Sequence, residues 1–195
     1  MKRRTLLSTV SVGAIALGLG ISAGVAQETP PDLMAPGPLP EKSFGRDDAP
    51  VTVIEYASMT CGHCQRFHLE TFPAIKKDYI DTGKVRFIFR EFPFDPRSTA
   101  AFMLARCVGD DKWYPTVDLL FRTQEKWARA ESGSDALRSA MAVTGMSTKD
   151  FEACLGDQAL LEKVNAVAEG GKKLGVNATP TFFINGKMES GALSI

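Results

Sequence analysis

Apolar positions along this chain fall into runs of two kinds, one with a period of two and one with a helical period. Val51 to Ala57 is of the first kind: Val51, Val53 and Ala57 point one way, and Thr52, Ile54 and Tyr56 the other. Both faces are largely apolar, which predicts a central strand covered on both sides. Glu55 is the misfit, a carboxylate at a position that should lie in the core. From about Cys61 to Tyr79, the residues Cys64, Phe67, Phe72, Ile75 and Tyr79 recur at helical spacing and predict a helix, kinked at Pro73 and ended by Thr82-Gly83. Val85 to Phe92 alternates again, with Val85, Phe87 and Phe89 set against Arg86, Ile88 and Arg90. Strand, helix and strand at this spacing imply a right-handed parallel crossover.

The period then changes. Residues 97–173 lack strand-like alternation and carry amphipathic stretches at 99–108, 116–126, 134–143 and 158–173, which predict a helical insertion. Strand character returns at Thr181-Phe182-Phe183-Ile184, and Asn185-Gly186 signals a tight hairpin turn with Lys187 to Ser190 returning antiparallel. Before the first strand, residues 27–50 contain Pro30, Pro31, Pro36, Pro38, Pro40 and Pro50, an extended leader without a core of its own. The organisation expected is therefore a leader at 27–50, an α/β first half at 51–96, the insertion at 97–173 and a second half at 174–195.

Residues 1–26 stand apart. Lys2, Arg3 and Arg4 precede an uncharged run from Leu6 to Val25, and Gly24-Val25-Ala26 supplies the small residues of a cleavage site before Gln27. This reads as a signal peptide rather than a membrane anchor, although the run approaches spanning length. Arg3-Arg4 leaves both the general and the twin-arginine export routes open. Without Lys2, Arg3 and Arg4 the formal charge moves from 0 to −3, which gives no reason to expect a nucleic-acid partner. Export matters more than charge, because it places all four cysteines where disulfides form and persist.

Cys61-Gly62-His63-Cys64 follows a strand and opens a helix. A helix N-terminus offers unpaired N–H groups and partial positive charge, which stabilise the thiolate that acts as nucleophile. Cys61 should be exposed and attacking. Cys64, one turn deeper, should be buried and resolving. A protonated His63 would favour the Cys61 thiolate and make the disulfide more oxidising. Haem attachment needs a His directly after the second cysteine, where Gln65 stands. Zinc needs two more ligands at sensible spacing, and Cys107 and Cys154 are distant and separate. A purely structural Cys61–Cys64 bridge would close too short a loop to constrain the unfolded chain much. No metal and no cofactor is expected.

Glu55 lies six residues before Cys61 on the strand feeding the helix. A buried carboxylate is costly, and an acid beneath the dithiol could take or give the proton of Cys64 during exchange. The alternative is an edge carboxylate reaching solvent. Thr179-Pro180-Thr181 opens the later strand, where a proline removes a ladder donor. A cis Thr179–Pro180 bond would expose strand edge to a bound peptide beside Cys61.

Three segments together resemble the bacterial DsbA-like proteins: Val53-Ile54-Glu55-Tyr56-Ala57-Ser58-Met59-Thr60-Cys61-Gly62-His63-Cys64, Phe87-Ile88-Phe89-Arg90-Glu91-Phe92-Pro93, and Gly175-Val176-Asn177-Ala178-Thr179-Pro180-Thr181-Phe182-Phe183-Ile184-Asn185-Gly186. The resemblance implies an α/β thioredoxin-like fold, a central mixed sheet interrupted by an inserted helical domain. It implies Cys61 as nucleophile, Cys64 as resolving thiol, Glu55 as buried acid and Pro180 as a cis-proline after Thr179. It also implies a periplasmic oxidant that donates its disulfide to exported proteins with free thiols and is reoxidised by a membrane quinone reductase of the DsbB type. The best-known members carry Pro-His between the cysteines, whereas Gly62-His63 is the pair of eukaryotic protein disulfide isomerases. Members usually continue past the final hairpin into a closing helix, which is expected to be missing here because the sequence stops at Ile195.

Cys107 and Cys154 both fall in the insertion and are expected to form a structural disulfide in an oxidising compartment, the alternative being two buried free thiols. His68 reads as a helix-surface or core-edge residue rather than a ligand, since no partner cluster accompanies it. Phe92, Phe94 and Trp113 could line a peptide groove but read more simply as core, and Arg86, Arg90 and Arg97 as a solvated face. The function expected is a monomeric protein thiol-disulfide oxidoreductase, first as an oxidase, with an isomerase or reductase second. A non-catalytic chaperone or peptide-binding module of the same fold is the reading from another class, and the intact Cys61/Cys64 pair with Glu55 and Pro180 argues against it.

Overall fold

The alternation at residues 51–57 folds as the middle of a five-stranded mixed sheet. A computed structural model describes residues 32–35 and 37–191. The expected signal peptide at 1–26 and the last four residues lie outside the described residues. The strands are β1 (Lys42–Phe44), β2 (Val51–Ala57), β3 (Val85–Glu91), β4 (Thr181–Ile184) and β5 (Lys187–Ser190), in the order β1-β3-β2-β4-β5. β2 and β3 pair in parallel, and the other three pairings are antiparallel.

The leader expectation needs correction. The folded domain begins before Val51, within residues 27–50, because β1 pairs with β3 and Leu33 is buried at 1% exposure. Two arginines hold this segment down. Arg90 donates to the Glu41 carboxylate (2.8 Å), the Leu33 carbonyl (2.8 Å) and the Tyr56 hydroxyl (3.0 Å). Arg106 donates to the Glu91 carboxylate (2.6 Å) and the Pro40 carbonyl (2.7 Å). Arg90 therefore does not belong to a solvated face: β3 is covered on both sides, and the guanidinium replaces water with protein acceptors.

Between β2 and β3 the chain is helical from residue 62 to residue 80, alternating α1 (Gly62–Arg66), a π turn (Phe67–Thr71), α2 (Phe72–Ile75) and a second π turn (Lys76–Ile80). Pro73 sits at the start of α2, directly after the first π turn. The wider turn accommodates a ring that would otherwise meet the carbonyl four residues back. The insertion comprises α3 (Pro96–Cys107), α4 (Asp110–Arg122), α5 (Gln124–Trp127), α6 (Gly133–Ala142), α7 (Thr148–Leu155) and α8 (Gln158–Lys173). α7 is a helix that the amphipathic stretches did not single out. Asp95, Ser132, Ser147 and Asp157 cap four of these helices by accepting backbone N–H groups of the first turn. Cys107 and Cys154 are disulfide-bonded, with a Cα–Cα distance of 6.1 Å, joining the end of α3 to α7.

Two apolar clusters flank the sheet. One holds Cys64, Phe67, Phe72, Phe87, Phe89 and Phe182 with the helical insertion. The other holds Ile54, Tyr56, Ile88, Phe92 and Phe183 with Leu33 and Ala168 of α8. There α8 approaches so closely that a Cβ at Gly171 would come within 2.7 Å of the Tyr56 ring. Among the described residues no helix is long and apolar enough to cross a membrane.

Candidate active site

The site is built where β2 ends. The chain leaves the sheet at Ala57 and runs through Ser58-Met59-Thr60 to Cys61, the N-cap residue of α1, with extended backbone (φ −80°, ψ 119°). Three polar side chains from outside the loop fix it. Ser98 at the start of α3 accepts the Met59 N–H (3.0 Å) and bonds the Ser58 hydroxyl (2.9 Å). The Thr60 hydroxyl donates to Asp95, itself the cap of α3. Gln124 of α5 donates its amide to the carbonyls of Met59 (2.8 Å) and Cys61 (3.1 Å). Ser98, Gln124 and Asp95 were not singled out by sequence reasoning.

Cys61 and Cys64 are both free thiols, Cys61 half-buried and Cys64 fully buried. The Cys61 Sγ donates to the Thr179 carbonyl at 3.3 Å, so the residue before the cis Thr179–Pro180 bond lies against the nucleophile. The Thr179 hydroxyl is buried and has no hydrogen-bond partner in this dithiol state. Its position beside the sulfur favours the ionised form of Cys61. The Cys61 thiol is lowered to about 5, first by the Cys64 thiol donating to it, then by Thr179 and the N–H groups of Cys64 and His63, against a burial effect of opposite sign. Cys64 is pushed well above the ordinary thiol value, chiefly by burial, and also by its bond to Cys61 and the charges of Glu55 and Cys61. One thiol is thus ready to ionise, and its neighbour holds its proton. His63 and Gly62 are exposed, and a Cβ at Gly62 would meet open space.

Glu55 is fully buried, on the face of β2 that carries the active-site helix, and its Oε2 lies 2.8 Å from Nε2 of His68. The expectation for His68 is corrected here. It is 3% exposed, buried rather than at a surface, with its ring stacked on Phe121 at 4.7 Å. The helical spacing held the signal: His68 is one turn beyond Cys64 and adjoins Phe67, both on the buried face. Of the aromatics read as core, Phe92 and Trp113 are buried and Phe94 is 56% exposed. Among the described residues, no three His, Cys, Asp or Glu side chains are grouped as metal ligands.

A family model described as thioredoxin matches residues 40–195. Wolbachia pipientis alpha-DsbA1 is 34% identical, with a TM-score of 0.73 over 81% of this chain and 87% of that one. The chain belongs to the DsbA-like thioredoxin family. Oxidised BdbD from Bacillus subtilis superposes with a TM-score of 0.63 at 29% identity, covering 76% of this chain and 83% of that one. A Rickettsia typhi relative, named as a candidate protein-disulfide oxidoreductase, is 35% identical over 148 residues, 73% of this chain. The chain spans about half the length of that relative, 54% of it.

Proposed function

We propose that this chain is a periplasmic thiol-disulfide oxidoreductase, exported by its N-terminal signal peptide, that acts mainly as an oxidase on exported proteins with free thiols. The observation that carries the reading is the asymmetry of the pair, with Cys61 lowered to about 5 beside a Cys64 held protonated. A stabilised thiolate favours the reduced enzyme over its disulfide, which makes the disulfide a good oxidant. A substrate thiolate attacks the Cys61 sulfur of the Cys61–Cys64 disulfide. The mixed disulfide forms at Cys61 and Cys64 leaves. A second substrate thiolate then attacks the substrate's own sulfur in that bond. It releases an oxidised substrate and the Cys61 thiolate, the better leaving group of the two. A membrane quinone reductase of the DsbB type would return the dithiol to the disulfide, with the chain acting as a monomer.

Gly62-His63, the pair of eukaryotic disulfide isomerases, favours isomerisation as the second reading. Equilibration of the Cys61–Cys64 couple with glutathione separates the two. The oxidase reading expects a potential above about −180 mV, and a value near −270 mV, that of a reductant, would reject it. In parallel, the oxidised chain should speed refolding of a reduced disulfide protein, and Cys61→Ser should abolish the effect. Equal yields from both would remove catalysis altogether.

A further inference from the structure

The Cys64 sulfur faces a problem of proton supply. When a substrate thiolate opens the Cys61–Cys64 disulfide, Cys64 departs as an anion in a site with no exposure to water. Burial and the Glu55 charge both disfavour that anion. A proton must therefore arrive from inside the protein. Glu55 alone is an awkward source, since a fully buried carboxylate is costly in its charged form once it has given its proton up. The structure puts a second proton-carrying group on it. Oε2 of Glu55 is bonded to His68, while Oε1 is buried without a hydrogen-bond partner in the protein.

The His68 ring has little freedom. It stacks on Phe121 at 15° and 4.7 Å, and meets Phe89 edge-on at 5.3 Å and Phe67 at 5.5 Å. The other titratable groups facing the pair are Cys64 of α1 and Tyr114 of α4, whose phenol is pushed up by burial and then by the charges of Asp118 and Glu55. Glu55 is in register with Phe89 on β3 and Phe182 on β4, so neither strand adds a charge.

We propose that Glu55 and His68 act as one proton-holding unit for Cys64, with His68 as the positioning residue that shares the proton and fixes the carboxyl beneath the dithiol. The balance is complete without another reactant. Substrate S⁻ bonds to the Cys61 sulfur, the Cys61–Cys64 bond breaks, the electron pair leaves on Cys64, and the unit's proton moves to that sulfur. In the reverse direction Cys64 returns the proton as it attacks the mixed disulfide. The inference rests on Cys61 and Cys64 being a working dithiol.

The test is the rate at which dithiothreitol opens the disulfide of the full chain, divided by the fraction of dithiothreitol thiolate, between pH 5 and pH 8. Wild type should be fastest at low pH and should slow as pH rises. His68→Gln keeps a hydrogen-bond donor but cannot carry a proton. It should lose the pH dependence and fall about tenfold at pH 5, a modest share of what general acids supply. Glu55→Gln should do the same, and the double variant should be no slower than Glu55→Gln. A His68→Gln chain that keeps the wild-type profile, or whose effect adds fully to that of Glu55→Gln, overturns the inference while leaving the oxidoreductase reading intact. A wild-type disulfide that dithiothreitol does not open overturns both. If His68→Gln does not fold, nitrogen NMR of the wild-type chain decides. The His68 ring shifts should differ between the disulfide and dithiol states, and identical shifts overturn the inference.

Discussion

The Cys61 thiolate is favoured from three places: the Cys64 thiol, the Thr179 side chain, and backbone N–H groups in the first turn of α1. Each acts on the thiolate, so each should be visible in the pH at which the sulfur becomes reactive. Alkylation of the reduced chain by iodoacetamide should rise with a midpoint at about pH 5 and be level by neutrality. Cys64→Ala should move that midpoint up most, because it removes the largest contribution. Thr179→Val should move it up by less. An unmoved midpoint in Thr179→Val would show that the hydroxyl does not reach the ionised sulfur. Much of this site could be read from the sequence. Cys61 and Cys64 declare themselves by spacing, Glu55 by being a carboxylate in an apolar strand, and Thr179-Pro180 by a proline opening a strand, and the fold brings all of them together. His68, Ser98 and Gln124 could not be placed in the same way. Helical periodicity says which face is buried. It does not say that Ser98 will meet a backbone N–H 39 residues earlier, or that Gln124 will meet a carbonyl 65 residues earlier.

At the scale of elements, β1 was the strand that the sequence hid. Three residues are too few to show alternation, and the surrounding prolines argue for an extended leader. Its partner, β3, is more than 40 residues away, so nothing local announces the pairing. Yet Phe44 carries part of the packing on the active-site face, with its ring 4.8 Å from Tyr114, 5.6 Å from Phe72 and 6.3 Å from Trp113. Phe72 and Trp113 share the core cluster that holds Cys64, and Tyr114 packs against it, so β1 helps pack the face of the sheet that carries the site. Phe44→Ala should cost about 2–3 kcal/mol in urea unfolding, less than a fully buried phenylalanine because Phe44 keeps some exposure. Phe94→Ala, at a position 56% exposed, should stay within about 0.5 kcal/mol. Equal losses at the two positions would mean that β1 contributes no packing of its own.

Over the whole molecule, the ionisation of one sulfur links redox state to fold stability. In the dithiol form the folded chain holds Cys61 at about 5, whereas an unfolded thiol titrates near the ordinary value of 9.0. A depressed value means that the unfolded chain binds more protons between those limits, so stability must rise with pH across the window. The contribution is fully present above about pH 9 and is lost as pH falls toward 5. Cys64 opposes it only above the ordinary thiol value, because its raised value keeps the proton bound in the fold. Once Cys61 and Cys64 are bonded, neither titrates and the term vanishes. The difference in Tm between dithiol and disulfide forms should therefore shift in favour of the dithiol from pH 5 to pH 8. The half-exposed position of Cys61 makes the shift smaller than full burial would give, since solvent screens part of the interaction. Calorimetry of both redox forms across that range measures it directly. A difference that stays constant with pH would mean that the Cys61 thiolate gains no stability from its surroundings, and with that the reason to expect an oxidising disulfide would be gone.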